Sequence, residues 1–200
     1  MKGSLIIVGF FLLGLLVGNL DFVPKELYSS QVGLVVLCVL MFLVGISLGT
    51  SKGLWKSIKE TKAVVLLVPG ATIVGTLVGT AIIGLFLKDW TIYETMAVGS
   101  GFGYYSLSSV FISEYKGASL GTIALISNVL RELIALLAAP FLVRYFGKLA
   151  PISAAGATSM DTCLPIITKV SGNDFVLIAI LHGIIVDLSV PFLVTAFCSI

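Results

Sequence analysis

Residues 97–107 read AVGSGFGYYSL and residues 154–164 read AAGATSMDTCL. Both are apolar overall, yet each is rich in small residues. Glycine keeps backbone freedom, and serine and threonine offer hydrogen bonds that compete with helical ones, so a continuous helix is disfavoured in both. Ala97, Gly99 and Leu107 pair with Ala154, Gly156 and Leu164, and the correspondence continues downstream. Ser113 to Gly117 precede an Ile123-Ala124 helix that holds Glu132 and ends Pro140-Phe141-Leu142-Val143. Thr168 to Gly172 precede Ile178-Ala179, Asp187 and Pro191-Phe192-Leu193-Val194. With one gap of about a helical turn before the proline, Glu132 and Asp187 become equivalent. The second half of the chain therefore reads as two copies of one unit, a small-residue apolar segment followed by a longer helix.

Outside the repeat the chain is more apolar still. Residues 3–20, 27–51 and 63–87 carry no charge, and each is long enough to cross about 30 Å of hydrocarbon at 1.5 Å per residue. The whole chain is 58% apolar and 11% charged, with a mean hydropathy of +1.15. Soluble domains carry about 25% charge, so a soluble enzyme and a disordered chain are both excluded. A net charge of +2 without an extended basic run excludes a nucleic-acid partner. Cys38, Cys163 and Cys198 form no CxxC pair and His182 is the single histidine, which leaves no disulfide framework, zinc site or paired-histidine relay. No cofactor or metal is expected.

The fold class is an all-α integral membrane protein, a polytopic helical bundle whose partner on all sides is the lipid bilayer. Residues 1–200 form one transport domain, with 1–94 as a three-helix scaffold and 95–200 as the repeat-bearing substrate pathway. The first span begins Met1-Lys2, but Gly18-Asn19-Leu20-Asp21 offers no small-x-small cleavage site, so it reads as a retained anchor. Gly14-xxx-Gly18, Gly45-xxx-Gly49 and Gly75-xxx-Gly79 give each of the first three helices a small face for close packing. Pro69-Gly70 suggests a kink in the third. Trp55, Trp90 and Tyr93 read as interface anchors.

Lys52, Lys56, Lys59 and Lys62 mark a cytoplasmic loop under the positive-inside rule, which places the N-terminus in the cytoplasm. If both small-residue segments re-enter without crossing, Lys2, these four, Arg144, Lys148 and Lys169 lie inside and Lys25, Lys88 and Lys116 outside, eight against three. Full crossing gives seven against four. The re-entrant arrangement is favoured, with the C-terminus outside. Successive units then enter from opposite faces, an inverted repeat of the kind that secondary transporters use to expose broken-helix backbone to a polar substrate.

Arg131 and Glu132 fall in the middle of the span at 118–143, Asp187 in the middle of 174–199, and Asp161 inside the second small-residue segment. Each costs about 2.5–3.5 kcal/mol at a helix centre on insertion scales, so each needs a partner, a cavity or a ligand. Their charges sum to minus two, which leaves an acid for a cation or a proton. Arg131 and Glu132 stand about 100° apart on a helix and do not face each other. Arg131 and Asp187 have two readings, helix glue through a bond from Arg131 to Asp187 or Asp161, or a place in the pathway. Asp161 is the sharpest candidate, among Thr158, Ser159, Thr162 and Pro165 where regular helix is least expected. Ser100, Tyr105 and Ser106 complete the candidate pathway from the first segment, with Asn128 one turn before Glu132. Tyr104 fits either the pocket or the lipid interface, and His182 reads as a buried hydrogen-bonding residue. No GxGD sequence is present to support an aspartyl intramembrane protease.

At Gly99-Ser-Gly-Phe-Gly-Tyr-Tyr-Ser-Leu-Ser108, Asn128-Val-Leu-Arg-Glu-Leu133 and Gly156-Ala-Thr-Ser-Met-Asp-Thr-Cys-Leu-Pro165 the chain resembles the bacterial lysine exporter family of the LysO type. The resemblance covers nearly the whole chain and is strongest over residues 95–195. It implies export of L-lysine and toxic lysine analogues across the bacterial cytoplasmic membrane, with Glu132 and Asp161 important for transport. Single-chain members carry further N-terminal spans, and the resemblance to split members implies a small membrane protein that supplies them. A proton is the expected coupling ion and sodium the alternative. The competing reading is a sodium/proton antiporter without an amino-acid substrate.

Overall fold

The computed structural model describes residues 64–200, preceded by the isolated positions Leu13, Leu16 and Val17. The expected spans at 3–20 and 27–51, the Lys52–Lys62 cluster, Cys38, Trp55 and the glycine pairs at Gly14 and Gly45 lie outside the described residues. Residues 64–200 lie within one compact unit.

Every regular element in residues 64–200 is helical: α1 (Val64–Gly84), α2 (Ile92–Gly99), α3 (Tyr105–Lys116), α4 (Ala118–Phe146), α5 (Ala150–Ala155), a 3-10 turn (Gly156–Met160), α6 (Leu164–Ser171), a second 3-10 turn (Asn173–Phe175) and α7 (Val176–Cys198). Stretches of α1, α4 and α7 are long and apolar enough to cross a membrane. They match the expected spans at 63–87, 118–143 and 174–199.

The long helices are built with small residues inward. Along α4 the buried positions are Leu120, Gly121, Ala124, Asn128, Ala135 and Ala139, mostly three to seven residues apart and so on one face, while Ile134, Leu137 and Phe141 point outward and are more than half exposed. In water this would be inverted. In lipid, helices associate through close backbone approach rather than by hiding apolar bulk, and small inward residues permit it.

The small-residue segments break where the glycine, serine and threonine content says they should. α2 starts at a capping box in which Glu94 N–H donates to Thr91 Oγ1 at 3.2 Å and Thr91 N–H to Glu94 Oε2 at 2.8 Å; that donated amide holds the exposed Glu94 carboxyl below its ordinary range. It ends after eight residues, and α3 begins only at Tyr105. The second segment breaks between α5 and α6. At 1.5 Å per residue none of α2, α3, α5 or α6 exceeds about 18 Å, well short of a bilayer core. Gly117 (φ +94°) joins α3 to α4, and Gly172 (φ +99°) closes α6 ahead of α7. The order short helix, break, short helix, positive-φ glycine, long proline-bearing helix thus occurs twice.

α3 packs on α4, α2 on α1, the first 3-10 turn on α7 and α5 on α4. A buried cluster of Ala135, Ile152, Ala155, Cys163, Ile167 and Ala179 seats the second broken segment between α4 and α7.

Candidate functional site

The two breaks touch. In the first, Phe102 adopts φ +46° and Gly103 φ +94°, which turns the chain sharply between α2 and α3. This exposes backbone groups that α4 satisfies: Asn128 Oδ1 accepts from Gly103 N–H at 2.7 Å, and its Nδ2 donates to Val98 O at 3.2 Å and to Ala124 O at 2.9 Å. Gly101 is needed for this approach, because a Cβ there would lie 2.5 Å from Asn128 Nδ2 and 2.6 Å from Ser108 Oγ. Phe102 O, held out by the turn, accepts from Ala157 N–H of the second break at 2.9 Å.

In the second break α5 ends at Ala155, and the carbonyls beyond Ile152 take donors from side chains. Ile152 O keeps the last helical bond, from Gly156 N–H, and Ala155 O accepts from Thr158 Oγ1 at 2.9 Å. Ser153 O and Ala154 O accept from Arg131 Nη2 at 3.2 Å and Nε at 3.0 Å. Nη1 of the same guanidinium donates to Thr76 Oγ1 on α1 at 3.3 Å, and its Cζ lies 5.7 Å from the centre of the buried Phe102 ring. Arg131 therefore places positive charge at the C-terminus of a half-helix, where the backbone dipole favours it. Its hydrogen bonds end on neutral oxygens, not on Asp161 or Asp187.

The acids gather elsewhere. Asp161 follows the 3-10 turn and is exposed; its Oδ1 accepts from Thr162 N–H at 2.5 Å and from Thr162 Oγ1 at 3.3 Å. Glu132, half-buried on α4, lies beside Thr162 and within electrostatic range of Asp161. Asp187, on α7 and 6% exposed, lies within range of Asp161 as well. The Tyr105 hydroxyl is near Glu132 and Asp161, and that of Tyr104 near Asp187 and Asp161. Asp161 is the shared member of two poles, Glu132 with Tyr105 and Asp187 with Tyr104. Three carboxyls and two phenols suit a cation or a mobile proton. Among the described residues no group of three His, Cys, Asp or Glu side chains is placed to hold a metal ion.

Of the other candidates, Thr162 and Tyr105 join this acidic face. Ser106 is exposed. Ser100 donates to Met96 O at 2.7 Å, Thr158 to Ala155 O, and Ser159 to Ala179 O at 2.9 Å, so these hydroxyls sit inside the framework. His182 is fully buried, its Nδ1 3.1 Å from Ser159 Oγ and its Nε2 2.9 Å from Thr72 Oγ1. A cavity of about 310 Å³ lies beside Asn128 and Arg131, lined in part by Thr76, Thr80, Thr95 and Trp90. Sequence reasoning missed the role of α1, although Thr72, Thr76 and Thr80 recur every fourth residue and mark the face that meets His182 of α7, Arg131 of α4 and Gly99 at the end of α2. Replacing Asn128 with alanine leaves Gly103 N–H without its acceptor, and an unsatisfied buried donor costs about 1–3 kcal/mol. A matching fall in thermal stability of the detergent-solubilised protein is expected, and unchanged stability would show that water replaces the amide.

A family model described as "Lysine exporter LysO" matches residues 8–198. The chain is 35% identical over 198 residues to the lysine exporter LysO of Escherichia coli, an alignment that covers 98% of this chain and 64% of that protein. It is also 35% identical over 172 residues to a Haemophilus influenzae protein named as a putative lysine exporter, covering 86% of this chain and 87% of that one. The chain thus spans just under two thirds of the length of the Escherichia coli relative. No solved structure matches the chain.

Proposed function

The chain belongs to the lysine exporter family of the LysO type, and on that premise we propose that it exports L-lysine across the bacterial cytoplasmic membrane in exchange for protons. The observation that carries the reading is the placement of Asp161 between Glu132 and Asp187 beside the contact of two broken helices. A cationic amino acid brings an ammonium group for the acids. Its carboxylate can be met by the first N–H groups of α3, which no side chain caps at Tyr104. Glu132 and Asp161 are the substrate acids, with Tyr105 and Thr162 as hydrogen-bonding neighbours.

In this proposal α2–α3 and α5–α6 are re-entrant hairpins that enter from opposite faces, so the repeat is inverted, with the N-terminus cytoplasmic and the C-terminus outside. Their short helices and the hydrogen bond between their breaks support it, since irregular backbone survives at membrane depth only against protein or a polar cavity. The small membrane partner implied by the resemblance finds no support in the comparisons.

The test is lysine efflux from cells loaded with a lysine-containing dipeptide. Native protein is expected to drain internal lysine, and Asp161→Asn to slow efflux by about tenfold or more, the scale of losing one charged contact to the substrate. Asp161→Asn efflux at the native rate and pH profile would remove Asp161 from the mechanism. Ion flux without lysine movement would replace the export reading with a cation antiporter.

A further inference from the structure

Along α7 the contacts advance in step with the second break. His182 meets Ser159, and a Cβ on Gly183 would come within 2.6 Å of Met160 Cβ and 2.9 Å of Met160 N. Asp187 is one turn beyond Gly183 and projects from the same face, next to where Asp161 follows Met160. The two acids nevertheless differ in kind. Asp161 is exposed and bonded to Thr162. Asp187 is 6% exposed and makes no hydrogen bond to a described residue. An ammonium group needs several oxygen partners and room for the carbon chain that carries it, whereas a proton needs one carboxyl oxygen and a passing water.

We propose that Asp187 is the proton-carrying acid of the exporter, separate from the Glu132 and Asp161 pair that meets the substrate. The inference rests on the export reading. Asp187 holds a proton while the site is empty. When a cationic amino acid from the cytoplasm seats its ammonium on Asp161, the added positive charge expels that proton to the same side. When the substrate leaves on the outside, Asp187 takes a proton from there. One positive charge goes out for each that comes in.

The titratable groups facing Asp187 are Asp161 from the turn and Tyr104 ahead of α3. α1 and α5 carry none. Glu94 of α2 is engaged with Thr91; Glu114 and Lys116 of α3 and Lys169 of α6 stand at the ends of their helices away from the breaks, and Asp174 lies in the second 3-10 turn ahead of α7. On α7 itself His182 is held between Thr72 and Ser159.

The test uses the full-length protein in liposomes and compares lysine–lysine exchange without a pH gradient with lysine accumulation driven by one. Asp187→Asn is expected to exchange lysine within about twofold of the native rate while gradient-driven accumulation falls at least about tenfold, and Asp187→Glu to restore accumulation. Gradient-driven accumulation by Asp187→Asn overturns the proposal. Loss of exchange together with accumulation in that variant overturns it too, since Asp187 then serves substrate or structure. Native protein that exchanges no lysine overturns the export reading and this inference with it. Asp161→Asn that still exchanges lysine, beside an uncoupled Asp187→Asn, removes only the substrate role of Asp161.

Discussion

Replacing Gly156 with alanine is expected to destabilise the protein by about 3 kcal/mol or more and to abolish lysine efflux. Two penalties combine at this residue. Its backbone, at φ +65° and ψ −129°, lies where L-residues are strained by about 1–3 kcal/mol. The added Cβ would also collide with Phe102 O, and it would stand 3.1 Å from Phe102 C and 3.3 Å from Arg131 Nη2. Relief requires Phe102 O to move, which breaks the bond from Ala157 N–H that joins the two breaks. Gly147 supplies the control, because it has φ +89° and nothing within 4 Å of a Cβ. Gly147→Ala therefore carries strain alone. Thermal unfolding of both variants in detergent separates the effects: Gly156→Ala should lose clearly more. Equal losses would show that contact between the breaks adds nothing to the strain.

The spans and the breaks are legible in the sequence because both depend on local properties. Uncharged length decides which helices can cross a bilayer, and Gly99 to Gly103 and Gly156 to Ser159 weaken helix wherever they occur. The small-residue face of α4 belongs to the same class of signal. Which group meets which is not legible. Charge arithmetic requires a partner for Arg131 but does not name it, and a carboxylate is the natural expectation. The partners are backbone carbonyls, whose need arises only once α5 stops at Ala155 and leaves Ser153 O and Ala154 O open. Likewise Glu132 and Asp187, aligned with each other in the sequence reading, both come within range of Asp161, a three-body arrangement that no spacing along the chain encodes. The threonines at 72, 76 and 80 are legible as a period of four, but their meaning depends on what α1 packs against.

Arg131→Met is expected to lower stability by about 1–3 kcal/mol with no substrate present. Methionine preserves the length and the contact with Phe102, so the loss isolates the donors. Two half-helix carbonyls would be stranded in a low-dielectric interior, each costing about 1–3 kcal/mol. Removing a cation from the membrane offsets part of this, since a central arginine costs about 2.5–3.5 kcal/mol to insert. The sum still favours the native residue because the guanidinium reaches Ser153 O, Ala154 O and Thr76 Oγ1 together, from a planar fork that positions several donors at once. Lysine keeps the charge at the end of α5 but offers a point donor on a flexible stem, so Arg131→Lys should recover roughly half of the loss. The measurement is thermal unfolding with and without lysine. A positioning residue weakens the protein in both conditions alike and lowers efflux in proportion. A variant as stable as the native protein that fails only to gain stability when lysine is added would instead assign Arg131 to the carboxylate of the substrate.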